Sequence, residues 1–159
     1  MIKKVQVTVL CSFSSSVLKI GENILRAVII YGGENKKLEL FVKKISSVIE
    51  RKGNELKVIK AGRGIVNCNF LPYELVFVGC PVLNMFKGKL PSELIDYIKR
   101  CTGLERKKTI AFIIPRLMGN DKALKNLMSL LESKGSFIID FKQIGDIDKD
   151  SNLLASSLK

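Results

Sequence analysis

The chain contains no histidine, so no imidazole can serve here as a general base, as the activator of a nucleophile or as a metal ligand. Cysteine is sparse as well. Cys11, Cys68, Cys80 and Cys101 form no C-x-x-C pair and no metal-ligand spacing, which removes structural zinc and Cys-His nucleophile chemistry. The four read instead as small apolar residues in a reducing compartment, the cytoplasm. Cys80 keeps a second reading, as a functional thiol, because it ends an apolar run at a place where ligands bind in open sheets. No stretch approaches the roughly 18 apolar residues of a membrane span, so no membrane is expected. The first ten residues carry a basic flank and an apolar stretch. Gln6 and Thr8 nevertheless alternate with Val5, Val7 and Val9 in strand fashion, and no small-x-small cleavage site follows, so the segment does not read as a signal peptide.

Acidic residues are in short supply: 15 against 27 basic ones, a formal net charge of +12. Residues 24–140 alone hold 21 basic and 11 acidic side chains, a net +10, so the excess belongs to the body of the chain and not to a tail. Three readings remain open: an acidic partner protein, nucleic acid, or plain solubility. The interleaved aromatics and Gly-rich arms that favour nucleic acid are missing.

What is present is a repeated phrase. Apolar runs rich in β-branched residues occupy residues 25–31, 75–79, 109–114 and 136–140, with a shorter one at 56–59. Near-continuous Val, Ile and Leu is what a strand needs when helices cover both of its faces. Between the runs lie stretches with helical spacing. Leu38, Phe41, Val42, Ile45, Val48 and Ile49 make one face of a helix over residues 35–52, closed by Gly53. Lys36 and Lys43, and Lys37, Lys44 and Arg51, recur at intervals of seven on the other face. A second helix fits residues 91–101, with Pro91 in its first turn and Leu94, Ile95 and Ile98 inward. A third starts with Asn120 or Asp121 as N-cap, turns Leu124, Leu127, Met128 and Leu131 inward, and stops by Gly135. Residues 61–73 are too turn-rich for a helix. After Phe141 the pattern decays through Asp146, Asp148 and Asp150, with a short helix over residues 151–158.

The alternation predicts an α/β chain, a three-layer sandwich around a five-stranded parallel sheet. Residues 1–23 read either as an extra edge strand or as a poorly packed extension, residues 24–141 as the domain, and residues 142–159 as a tail or short helix. Open parallel sheets bind ligands beyond the carboxyl ends of their strands. The loops after Tyr31, Gly79 and Ile114 are therefore the candidate site.

Those loops carry a resemblance. Tyr31-Gly32-Gly33-Glu34-Asn35, Gly79-Cys80-Pro81 and Pro115-Arg116-Leu117-Met118-Gly119, in this order of elements, resemble the flavodoxin family over residues 24–141. The resemblance implies strand order 2-1-3-4-5 and flavin mononucleotide (FMN) held at the ends of strands one, three and four. It implies that Gly32, Gly33, Glu34, Asn35 and Lys36 lie at the phosphate. Cys80, Pro81, Val82, Leu83 and Asn84 would then flank one side of the ring, and Arg116 to Gly119 the other. The chain also departs from the family pattern. Its first loop is about two residues short and lacks Ser or Thr, Glu34 puts a negative charge at the phosphate position, and Leu83 stands where the family has a stacking aromatic. Phe86 is the candidate to stack from a shifted position.

Gly32 and Gly33 can equally be read as a tight turn, Pro81 as a strand end and Arg116 as a solvated cation. The lead expectation is FMN-dependent electron transfer or oxidoreduction with an acidic redox partner. The alternative is a non-catalytic interaction or regulatory module that keeps the sheet and has lost FMN. Oligomeric state is not legible.

Overall fold

A computed structural model describes residues 23–62, 64 and 68–158. The apolar runs become one parallel sheet: β1 (Arg26–Tyr31), β2 (Glu55–Lys60), β3 (Leu75–Pro81), β4 (Lys108–Ile114) and β5 (Phe137–Gln143). They lie in the order β2-β1-β3-β4-β5, and every pairing is parallel. Burial follows position in this order. All seven residues of the central β3 are buried, whereas the edge strands β2 and β5 alternate between covered and exposed residues, as expected for sheets whose middle strands are covered on both faces.

Four helices provide the cover: α1 (Lys36–Arg51), α2 (Ser92–Arg100), α3 (Asn120–Ser133) and α4 (Ile147–Ala155). One core packs α1 and α4 on Ala27, Ile29, Phe77, Ile110 and Phe112. The other packs α2 and α3 on Val28, Ile30, Val76, Val78, Ala111 and Ile113. The apolar face of α1 consists of the six residues its spacing picks out, all buried. Its start is capped by the Asn35 side chain, which accepts the Leu38 N–H at 3.0 Å. Its end is a Schellman turn: Gly53, at φ +81°, donates to Glu50 O and Asn54 donates to Ile49 O.

Two helix starts differ from the sequence reading. The N-cap of α3 is Gly119 in the left-handed conformation, not Asn120 or Asp121. Asn120 is drawn backwards, its side chain accepting the Arg116 N–H and donating to the Arg116 carbonyl. The last helix spans Ile147–Ala155 in place of 151–158, because Asp146 caps it by accepting the Lys149 N–H at 2.9 Å. The aspartates that read as decay are thus a helix start, where acidic residues suit the macrodipole. Residues 68–74 hold no helix; they form an isolated parallel bridge, Asn69 with Thr102. The expectation for residues 1–22 lies outside the described residues.

Helix α4 is fastened by a buried carboxylate. Asp150 Oδ2 accepts the Gly145 and Asp146 N–H groups at 2.8 and 2.9 Å, while its Oδ1 stands 3.3 Å from Lys142 Nζ. Removing it leaves two backbone donors and a half-buried ammonium unpartnered. Asp150→Ala is therefore expected to lower unfolding free energy by about 2–3 kcal/mol in a urea titration.

Candidate functional site

The first loop is shaped by contact. The Gly32 N–H donates to Gly79 O at 3.2 Å, tying the exit of β1 to the neighbouring β3. Gly33 follows at φ +96°, and a Cβ there would meet the Pro81 ring at 2.8 Å and Pro91 Cγ at 3.0 Å. Only glycine satisfies both the positive φ and this close approach. Gly32, Gly33, Pro81 and the start of α2 are thereby brought together at the carboxyl end of the sheet.

Beyond that point the backbone presents donors. Asn35 uses its side chain for Leu38 and its carbonyl for Glu39. Among the described residues, no hydrogen bond engages the N–H groups of Gly33, Glu34, Asn35, Lys36 or Lys37. Five successive free amides at a helix N-terminus favour an anion. Lys60, at the end of β2, holds Glu34 at 3.3 Å and Glu39 at 3.0 Å. Hydrogen bonds to Glu39 and then Glu34 raise its pKa above the ordinary lysine value, so the ammonium remains in place to offset the Glu34 charge. Lys36 is exposed, but Lys37 turns away to donate to Gly145 O.

The second loop closes on itself. Asn84 Oδ1 accepts the N–H groups of Phe86 and Lys87, Gly88 donates to Asn84 O, and Leu83 donates to Lys89 O. The third loop leans on it: Arg116 Nη1 donates to Leu83 O at 3.1 Å. Gly119, at φ +81°, lies so close to Met85 that a Cβ would stand 2.7 Å from the Met85 carbonyl carbon. Together the two loops expose Leu83, Met85, Phe86, Leu117 and Met118, with Phe86 74% and Leu117 92% accessible. Five large apolar side chains are thus exposed on the loops that follow two adjacent strands, an apolar shelf of the kind that marks binding surfaces.

Three of the sequence candidates lie beneath this surface. Cys80 and Val82 point into the core under α2 and α3, and Pro81 is buried against Gly33. Burial pushes the Cys80 thiol up to about 12, so Cys80 packs as a small apolar residue and offers no thiolate at neutral pH. The basic face of α1 is also partly consumed. Lys44 pairs with Asp148 of α4 at 2.6 Å, Lys37 is spent on Gly145 O, and Lys52, just past the helix, donates to Ala155 O.

Among solved structures, the fold is similar to oxidised flavodoxin 1 of Bacillus cereus, with a TM-score of 0.65 and 18% identity over 82% of this chain and 95% of that one. It is equally similar, at 0.65 and 13% identity, to a short-chain flavodoxin associated with a non-canonical PDU bacterial microcompartment, over 84% of this chain and 96% of that one. The chain has the flavodoxin-like fold.

A third similar structure is a flavodoxin of Fusobacterium nucleatum bound to FMN, with a TM-score of 0.57 and 11% identity over 84% of this chain and 96% of that one. No protein-family model matches the chain, and neither does any curated protein. The flavodoxin-like sheet places the loops after β1, β3 and β4 side by side, as the resemblance implies. Two contributors were missed in the sequence. Lys60 belongs to the site only through the register that sets it beside Tyr31. Met85 reaches the shelf because the turn around Asn84 lifts it out of the core.

Proposed function

We propose that this flavodoxin-like chain binds FMN at the carboxyl ends of β1, β3 and β4 and works in the cytoplasm as an electron carrier or small flavin-dependent oxidoreductase. The observation that carries the reading is the pairing of two features. A row of free amides at residues 33–37 suits a phosphate, and it adjoins, through the Gly33–Pro81 contact, an apolar shelf suited to a flat ring. The residues suit the group: free backbone donors favour an anion, and exposed apolar side chains favour a flat ring. The similar F. nucleatum protein holds FMN, which supports the same ligand here.

When bound, FMN supplies the redox chemistry, and the protein tunes it. The phosphate would fall to the free amides of Gly33, Glu34, Asn35, Lys36 and Lys37, with Lys60 moderating the Glu34 charge; the Gly32 N–H is already given to Gly79 O. The ring lies between the segment 81–86, in which Leu83, Asn84 and Phe86 are exposed, and the segment 116–119, positioned by Arg116. Titration with FMN, followed by quenching of flavin fluorescence, tests the assignment. Phe86→Ala is expected to weaken binding about 5-fold or more, the equivalent of ~1 kcal/mol for an aromatic face on a ring.

The net positive charge points to an acidic redox partner. A groove of about 560 Å³ beside the shelf is lined by Leu90, Ile95 and Leu130 and by Lys87, Lys89 and Lys99, with no carboxylate among its lining residues. Charge complementarity favours an acidic surface there, and Lys87 directly follows Phe86.

One observation favours a second reading. The first loop has no hydroxyl side chain and sets the Glu34 carboxylate among the free amides. A module that has lost FMN would keep the sheet and use the apolar shelf to hold a protein.

A further inference from the structure

At the amino-terminal end of the sheet, away from the loops described above, two cysteines face each other. Asn69 and Thr102 form an isolated parallel bridge, held by Thr102 N–H to Cys68 O at 3.1 Å and Phe70 N–H to Thr102 O at 2.9 Å. In that register Cys68 lies opposite Cys101, and side chains in register on parallel segments point to the same side. Neighbouring extended segments run roughly 4.8 Å apart, within the ~4.4–6.8 Å between Cα atoms that a disulfide spans. Both residues are free thiols. Cys101 is buried where α2 ends, and Cys68 is partly open to solvent.

We infer that Cys68 and Cys101 are a redox modification site, at which a hydroperoxide converts the two thiols into a disulfide that ties the β2–β3 connection to the end of α2.

The chemistry follows from which thiol is accessible. The Cys68 sulfur attacks the hydroperoxide, the O–O bond breaks, and an alcohol (or water, from hydrogen peroxide) leaves as Cys68 becomes a sulfenic acid. The Cys101 sulfur then attacks the Cys68 sulfur, the S–O bond breaks, and water carries off the hydroxyl together with the Cys101 proton. Two thiols have lost two electrons and two protons, and the peroxide has been reduced to alcohol and water. Tyr97, in the last turn of α2, belongs with Cys101 to the core cluster against which Cys68 packs, and its phenol interacts with both thiols. Burial keeps that phenol protonated well above its usual range, with the two cysteines adding to the effect, so it remains a donor for the departing oxygen. Burial likewise raises Cys101, which suits a resolving partner and not the first nucleophile.

The test uses the full chain, folded and reduced, treated with hydrogen peroxide, then alkylated under denaturing conditions and mapped without reductant. The expected result is a mass loss of about 2 Da and a linked peptide joining Cys68 to Cys101, with Cys80 alkylated as a free thiol. Cys11→Ser should leave the link intact, and Cys68→Ser, a change at a partly exposed position, should abolish it. The oxidised protein should melt roughly 5 °C or more above the reduced form. Three results would overturn the inference: Cys68 oxidised beyond sulfenic acid with Cys101 still alkylated, a link from Cys68 to Cys11, or a 68–101 link that forms only in urea.

Discussion

Gly79→Ala is expected to cost about 3 kcal/mol of folding free energy, the upper part of the range for overpacking a core. Gly79 sits in the middle of the sheet, paired with Tyr31 on one side and Phe112 on the other. A Cβ at this position would stand 2.6 Å from Phe112 Cδ2 and closer still to two other atoms of the ring. The ring cannot simply swing away. Phe112 is fully buried and meets Phe41 of α1 at 5.1 Å between ring centroids. One added methyl must therefore shift a strand, a ring and a helix face together, in an interior packed at crystal-like density. Urea unfolding monitored by far-UV circular dichroism measures the loss. The double variant Gly79→Ala with Phe112→Leu should recover part of it, because two groups in direct contact do not contribute additively. Full additivity would place the cause elsewhere.

Gly119→Ala is expected to weaken FMN binding about 100-fold while lowering stability less than Gly79→Ala does. Gly119 adopts φ +81°, which costs a non-glycine residue on the order of 1 kcal/mol or more. The larger effect is steric. The new Cβ would press on the carbonyl group of Met85, and backbone gives way less easily than a side-chain tip. The loops after β3 and β4 would part, breaking the Arg116 to Leu83 hydrogen bond and disrupting the shelf that the two loops share. Both loops are exposed, so the sheet beneath them survives. Thermal unfolding alongside FMN titration separates the two effects: a Tm shifted by only a few degrees with binding lost supports the site, and unchanged binding argues against it.

The sheet was legible because strands buried on both faces must be apolar throughout, and β3 and β4 announce themselves that way. Strand order was not contained in the runs; it came from the resemblance of the loops. Boundaries carried the remaining differences. The reading ends the third strand at Gly79, which leaves Cys80 at the crevice, but β3 continues to Pro81 and keeps Cys80 in the core. Asp146 is a cap only because its side chain turns onto Lys149 N–H, a local choice that three alternating aspartates do not reveal. At the candidate site, Gly33, Asn35 and Arg116 come from the resemblance of the loops, and the contacts they make in the fold are conformational: a close approach, a helix cap and a loop tie. Lys60 could not be found in this way, since its two ion pairs depend on pairing β2 with β1. The shelf was hidden for a related reason. Apolar residues such as Leu117 and Met118 normally signal burial, and only the fold shows that no described residue covers them.

The central claim is that the free amides of residues 33–37 and the apolar shelf form one site for FMN. The most direct measurement is an absorption spectrum of the purified protein, then titration of the flavin-free chain with FMN and, in parallel, riboflavin, read by quenching of flavin fluorescence. The account predicts saturation near one equivalent of FMN at micromolar concentration, with riboflavin bound at least 10-fold more weakly because it has no phosphate for the amides. A folded protein that quenches neither flavin at tens of micromolar would contradict it.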